Sequence, residues 1–289
     1  MVKIVSDGST IVRDYITLGK PKIVSLLLFT ALAGMFLASG GPPKVSLVII
    51  VMIGGTLASS GANALNQFFD QDIDSKMKRT KNRPVAANRV KPTHAMIYGI
   101  GLNIVAFVLF TVYVNWISAI LTITATLFYI FVYTLALKRH TTQNIVIGGA
   151  AGALPPVIGW SAVTGDLSLS ALYMFAIIFF WTPPHFWALS LILKDDYAKA
   201  KVPMLPVVVG VEQTKKSIFL YTLILLALTS MFFTIGSVGW IYFGSSVALG
   251  IGFTCFALKL LRSDGIDHAL GTYLYSLGYL FALFGAVML

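Results

Sequence analysis

Nine long apolar runs limit what this chain can fold into more than any other feature. They lie at about 23–40, 46–69, 95–114, 116–137, 145–164, 168–193, 217–237, 240–261 and 269–288. Each is long enough for a hydrocarbon core, which takes roughly 20 helical residues to cross. No water is present there to satisfy the backbone, so a span closes its hydrogen bonds within itself or in a sealed barrel; runs of this length predict helices. The stretch 217–261 is too long for one helix, and Gly236-Ser237-Val238-Gly239 marks the turn inside it. Only Asn115 divides the third run from the fourth. At 57% hydrophobic and 11% charged, the 289 residues are too apolar for a water-soluble domain. The expected fold class is an all-α polytopic membrane protein with nine transmembrane helices, built as a single domain over 1–289.

The connections between the runs alternate in charge. The N-terminal tail and the loops after the second, fourth, sixth and eighth runs hold all of the 21 Lys and Arg residues except Lys44. Basic residues stay in the cytoplasm, which predicts a cytoplasmic N-terminus, an outer C-terminus and insertion in the cell membrane. The net charge of +10 is thereby explained by topology, without a nucleic-acid partner. Of the 11 acidic residues only Asp166 falls on the outer side. The topology rule does not ask acids to follow bases, so this skew points to a polar site on one face. Cys255 stands alone inside an apolar run, which excludes a disulfide framework or a Cys-x-x-Cys site. The first sixteen residues carry Lys3, Asp7, Arg13 and Asp14 and match neither a cleaved signal peptide nor an Arg-rich transit peptide.

Two of the basic loops are long, 70–94 and 194–216, and loops of that length are usually functional or disordered. Each opens with acids where a run ends: Asp70, Asp72 and Asp74 in one, Asp195 and Asp196 in the other. This spacing predicts two halves, about 15–140 and 141–289, each giving one acidic patch to a shared cavity. Asn66, Asp70 and Asp74 are spaced i, i+4, i+8 and would share one helix face. Three acids within five positions repel one another unless a cation sits among them. Such oxygen ligands suit Mg²⁺, which takes one or two carboxylates and completes its shell with water and phosphate oxygens. The bland reading is a solvated helix end with interfacial charges; the polar run Asn63, Asn66, Gln67 inside the apolar segment favours a metal site. Arg79 and Arg83, close to these acids, are placed to grip phosphate from the other side, whereas Lys76, Lys78 and Lys81 serve topology and anionic lipid. Lys20-Pro21-Lys22, where the first run enters the membrane, is an anchor or a diphosphate contact.

Further motifs line the same side. Tyr133 to Asn144, with Lys138, Arg139 and His140, follows the fourth run and reads as a basic cap. The fifth run carries Gly148, Gly149, Gly152, Pro155, Pro156 and Gly159, a pattern for close packing and a broken helix. The sixth carries Trp181-Thr182-Pro183-Pro184-His185-Phe186-Trp187. A histidine there is most simply hydrogen-bonded to a neighbouring helix; the sharper reading is a ligand for a large aromatic substrate. Its aromatic neighbours could line an isoprenoid slot, and a ring face stabilises a carbocation by roughly 0.5–2 kcal/mol.

Together these residues resemble the UbiA superfamily of intramembrane prenyltransferases. Its Asn-xxx-Asp-xxx-Asp signature is matched by Asn66, Asp70 and Asp74. Within the superfamily, the stretches Asp72 to Pro84, Tyr133 to Gly149, Ala150 to Trp160, Trp181 to Trp187 and Asp196 to Val208 are similar to members that farnesylate heme. The resemblance covers about residues 15–215, and more loosely the rest. Two departures stand out. The second acidic motif is often Asp-xxx-Asp, but here Asp195 and Asp196 take the role by position only. From Tyr133 to Lys138 there is one residue more than in the common Tyr-xxx-Lys.

The resemblance implies a helical bundle around a central cavity open to the cytoplasmic side. It implies transfer of the farnesyl group of farnesyl diphosphate to the 2-vinyl group of heme B, with addition of water, giving heme O and diphosphate. Mg²⁺ would be the cofactor, held by Asn66, Asp70, Asp74, Asp195 and Asp196. Lys22, Arg79, Arg83, Lys138 and Arg139 would bind diphosphate, and Asp70, Asp74, Arg79 and Lys138 would carry the catalysis. His185 and His140 are the candidate heme contacts. The bilayer would deliver both greasy substrates, and the product would pass to heme A synthase or terminal oxidase assembly. Two alternatives stay open: a prenyltransferase of this type acting on an aromatic or quinone precursor, and a secondary transporter. A transporter predicts acids near the middle of spans, whereas these lie at span ends.

Overall fold

A computed structural model describes residues 8–289; Lys3 and Asp7 lie outside the described residues. Helix α1 runs over Gly8–Leu18 and α2 over Pro21–Ser39. Then come α3 (Val45–Phe69), the single turn α4 (Gln71–Asp74) and α5 (Pro92–Tyr113). Helix α6 (Trp116–Leu127) passes directly into a π-helix, Phe128–Leu137. After it come α7 (Asn144–Ala153), α8 (Pro155–Thr164), α9 (Leu169–Ile192), and the short α10 (Lys194–Lys199) and α11 (Leu205–Val208). Helix α12 (Val211–Met231) ends in a 3₁₀ turn, Phe232–Ile235, before α13 (Trp240–Arg262) and α14 (Ala269–Val287). Among the described residues nine helical segments are long and apolar enough to cross a bilayer, as the sequence predicts.

The boundaries differ where a polar residue does structural work. Asn115 is the N-cap of α6, its side chain accepting from Ser118 N at 2.9 Å, so two residues, Val114 and Asn115, suffice to reverse the chain between α5 and α6. Gly236, at φ 78°, ends the 3₁₀ turn in the left-handed region that glycine enters without a Cβ clash. The fifth span is two helices, because Pro155 and Pro156 lack the N–H groups that would continue α7 into α8. Helix α12 starts six residues earlier than hydropathy predicts. Lys215 is fully buried there, donating to Ser263 O at 2.7 Å on the end of α13 and to Glu212 Oε1 at 2.9 Å. Helix α1 is the element the apolar pattern does not announce.

The bundle closes on itself. Neighbours pack in the order α3, α5, α6, the π-helix, α7, α9, α12, α13 and α14, and α14 returns to α2, which lies against α3. Helix α8 fills the interior against α2, α6 and α9. The largest core cluster joins α9, α12, α13 and α14 through Met174, Trp181, Leu225, Phe253, Tyr279 and Phe284. Helices α2 and α8 approach at Gly34 and Gly159, where an added methyl would strike the carbonyls of Pro156 and Ala31 respectively.

That contact generates a paired expectation. Gly159→Ala should force α2 and α8 apart and cost about 1–3 kcal/mol, whereas Gly152→Ala, which meets open space, should change stability by less than about 0.5 kcal/mol. Thermal unfolding of the two variants in detergent checks the difference; equal melting temperatures would contradict this packing.

A charged cluster where the two acidic loops meet

The end of α3 builds the first half of the cluster. Asn66 Nδ2 donates to Asp70 Oδ2 at 2.7 Å, so the i, i+4 pair shares one face as its spacing predicts. Asp70 then leaves helical geometry (φ −95°, ψ 10°), and the α4 turn brings Asp74 back, its N–H donating to Asp70 O at 2.8 Å. The three positions are therefore not one continuous helix face. Asn66, Asp70 and Asp74 are all buried.

Each acid is matched by a basic side chain from another part of the chain or of its loop. Lys138 Nζ lies 2.5 Å from Asp70 Oδ2. Arg83 Nη1 donates to both oxygens of Asp74 at 2.8 Å. Arg139 grips the exposed Asp72 at 2.7 and 2.8 Å and also donates to Phe69 O. The Arg139 hydrogen bonds hold the Asp72 carboxyl below the usual carboxylate range, and the same bonds raise the Arg139 guanidinium. The sequence argument that these acids need a cation among them is met by protein cations. One carboxylate oxygen is left without a hydrogen bond: Asp70 Oδ1 is buried, with Arg139 Nη2 3.9 Å away.

Of the Lys20-Pro21-Lys22 stretch, Lys20 reaches the cluster. It contributes the free end of a short connector with left-handed backbone at φ 54°, and its Nζ donates to Asn66 Oδ1 at 2.9 Å. Burial, followed by the nearby Arg83 and Lys138 charges, pushes its ammonium well below the ordinary lysine value. Lys22, predicted as a diphosphate contact, is exposed instead. The signal was Gly19, which together with Leu18 offers its carbonyl to Asn63 and Gln67 of α3 at 2.9 and 3.0 Å. The polar run inside the apolar span thus holds the connector as well as the acids.

The extra residue between Tyr133 and Lys138 has a structural reason. In the π-helix Lys138 N bonds to Tyr133 O at 2.8 Å, an i to i+5 closure. Five residues there make the turn that four make in an α-helix, so Tyr133 and Lys138 stay on one side. Tyr133 stacks on Tyr129 at 5.5 Å, and Thr134 accepts from Asn66 Nδ2 at 3.1 Å, fixing the π-helix to α3 beside the cluster.

The second acidic loop meets the first. Asp196 is buried, and its Oδ2 accepts from Lys78 N at 3.0 Å. Ile73 and Met77 of one loop pack with Tyr197, Val202 and Met204 of the other. Asp195 is exposed; it lines, with Asp196, Lys78 and Arg79, a pocket of about 440 Å³. Arg79 is thus apart from the ion pairs and faces the second motif. His185 is buried away from this cluster, stacked between Trp181 at 4.3 Å and Tyr273 at 4.9 Å. Ser276 Oγ lies 2.6 Å from His185 Nδ1 and 2.6 Å from Tyr273 O, so it ties the ring to α14. His140 is exposed on the loop after the π-helix.

Among the described residues, nine spans carry a buried carboxylate–cation cluster at one end. The model of the UbiA prenyltransferase family matches residues 27–284, and the chain belongs to that family. It is 48% identical over 282 residues to the protoheme IX farnesyltransferase of Symbiobacterium thermophilum, covering 96% of this chain and 94% of that one. It is 47% identical over 278 residues to the enzyme of that name from Roseiflexus sp., of whose length it spans about half, 52%. A UbiA homolog from Archaeoglobus fulgidus, solved bound to GPP and Mg²⁺, shares the fold at TM-score 0.70 and 15% identity, covering 96% of this chain and all of that one.

The buried pair makes its own prediction. Lys138→Met removes the close ion pair of Asp70 in a site with 0% exposure and leaves only Arg139, at 3.9 Å, as counter-charge, which should cost about 3–5 kcal/mol. Adding Asp70→Asn should restore most of it, read as melting temperature in the presence of a chelator. If the double variant melts no higher than Lys138→Met, the pair is not the source of the loss.

Proposed function

We propose that this chain joins the farnesyl group of farnesyl diphosphate to the 2-vinyl group of heme B, with addition of water, giving heme O and diphosphate. The observation that carries this reading is the buried Asp70, with one oxygen unpartnered and basic side chains around it, in an otherwise apolar bundle. The heme-type choice within the family is supported by relatives of 45–48% identity that bear the name protoheme IX farnesyltransferase.

Mg²⁺ is the cofactor of this reading. The donor set is hard oxygen throughout, as the ion requires: Asp70 Oδ1 is available, and Asp74, Asn66, Asp195 and Asp196 supply further oxygens. Both Asp74 oxygens are held by Arg83 and Asn66 Oδ1 by Lys20, so these bases must turn away for the acids to ligate. When bound, the ion draws negative charge from the diphosphate. The bases that turn away are then free for phosphate oxygens. Lys20, Arg79, Arg83, Lys138 and Arg139 neutralise the leaving group as its C–O bond breaks, and preorganised charge in a dry site is usually the largest catalytic contribution. The vinyl carbon attacks the allylic cation, and water closes the valence with loss of one proton. His185, its ring oriented by Ser276 at Nδ1 as metal-ligating imidazoles are by a neighbour at the other nitrogen, is the proposed heme contact. His140 is the second candidate.

The charged end faces the cytoplasm in this reading, because nearly all Lys and Arg residues lie there. The two halves each give one acidic loop, and the product passes to heme A synthase or oxidase assembly.

Membranes holding the chain, incubated with heme B, farnesyl diphosphate and Mg²⁺, should yield heme O by chromatography, and none with 4-hydroxybenzoate in place of heme. Prenylation of the aromatic acid alone would move the assignment to the quinone branch. Asp70→Ala or Asp74→Ala should lower turnover at least about 100-fold with insertion intact. Near-normal activity of either in Mg²⁺ refutes the metal site. His185→Ala should weaken heme B binding and change its absorption band; an unchanged spectrum and rate would return the ring to packing.

A further inference from the structure

We propose that α1 is seated in the lipid interface at the charged end of the bundle, and that this seat holds Lys20 in the diphosphate cluster. The activity of Lys20 rests on the function proposed above; the seat itself does not.

Helix α1 has two faces. Asp14 and Leu18 are buried against the protein. Ile11, Val12 and Ile16 are 46%, 61% and 59% exposed. At 3.6 residues per turn Val12 and Ile16 lie about 40° apart on the side turned from the protein, and Ile11 stands at the edge of that arc, beside Tyr15 and Leu18. An exposed apolar arc on a helix that leads, two residues later, into a membrane span has the bilayer as its neighbour.

Contacts with α3 give the depth. Gln67 bonds Leu18 O, Asn63 bonds Gly19 O, and a Cβ on Gly19 would collide with the side chain of Ser60. Span α3 ends at Phe69. With 1.5 Å of rise per residue, Gln67, Asn63 and Ser60 lie about 3, 9 and 13 Å back from that end. The end of α1 therefore lies beside the last turns of α3 rather than beyond its end, as a helix lying along the lipid interface would.

The polar side is tied to the site. Arg89 Nε donates to both Asp14 oxygens at 3.0 and 3.1 Å, and its Nη2 to Asn82 O at 2.9 Å. Tyr15 and Leu18 pack with Val85 and Val90 of the loop that carries Arg79 and Arg83. Lipid on one face and this loop on the other fix the position from which the Gly19–Lys20 connector reaches Asn66. The bilayer surface is in this sense a part of the site.

The test has two readouts, neither of which needs turnover. The full chain with Cys255→Ser and Val12→Cys carries an environment-sensitive fluorophore and is reconstituted in phosphatidylcholine vesicles with and without brominated acyl chains. Strong quenching by the brominated lipid is expected. Emission typical of water, or quenching lost while emission depends on protein concentration, would mean water or a second copy covers the arc and overturns the seat. Binding of inorganic pyrophosphate with Mg²⁺ is then measured by calorimetry. Replacing Ile11, Val12 and Ile16 by Ser should weaken it about tenfold, replacing them by Leu should not, and Lys20→Ala should add nothing further to the Ser variant. Ile16→Ser alone, expected to weaken binding about threefold, serves if the triple variant does not fold. Unchanged binding in a folded Ser variant, or additive loss with Lys20→Ala, overturns the coupling. If the wild-type chain binds pyrophosphate but makes no heme O, the functional reading fails and the seat stands.

Discussion

Carboxylates at the end of a membrane span must be neutralised, and the rest of this structure follows from how that is done. Two unit charges about 4 Å apart interact by about 1 kcal/mol in water and several times more at a protein boundary. Asp70, with no exposure, has no water to fall back on. Its counter-charge arrives from Lys138, 68 residues away, which requires the π-helix to lie against α3. Asp74 draws in Arg83 and so folds the long loop back over the end of the bundle. Asp196 takes an amide of that loop, which brings the second half of the chain to the first. Removing water from these charges makes them expensive individually and strong together, which is the condition a diphosphate site needs.

Much of this was legible in the sequence, for reasons that differ by residue. The nine spans were readable because length and apolarity alone decide them. The Asn66–Asp70 pairing followed from helical spacing. The break at Asp70 did not, since nothing local distinguishes a helix end at Phe69 from one at Asp74. The sequence offers Lys20 and Lys22 as one stretch, and only the left-handed backbone at Lys20, which a proline downstream does not specify, brings the first of them to Asn66. Helix α1 was missed because its apolar arc has three residues, too few to stand out beside spans of twenty. The extra residue after Tyr133 looked like a departure from the family pattern and is absorbed by a change of helix type.

Pairing of acids with bases also changes how a metal would enter. Asn66 and Asp74 are not a vacant cage: their oxygens are held by Lys20 and Arg83. The same side chains that hold the acids in place are those with affinity for phosphate. Substrate and ion would then arrive by partner exchange, with the bases moving from carboxylate to phosphate and no charge left alone at any stage.

The two-residue joint of Val114 and Asn115 bears on how the chain is made. With no soluble loop between them, α5 and α6 have to enter the bilayer as a hairpin, in one event. The same Asn115 gives its amide to Ser161 O of α8, at 2.7 Å, and Ser118 pairs with Ser161. Those partners leave the ribosome some 45 residues later, so the hairpin's tip waits in the headgroup region with its polar atoms on water until α8 docks. Assembly order is thereby written into a corner of the fold far from the chemistry.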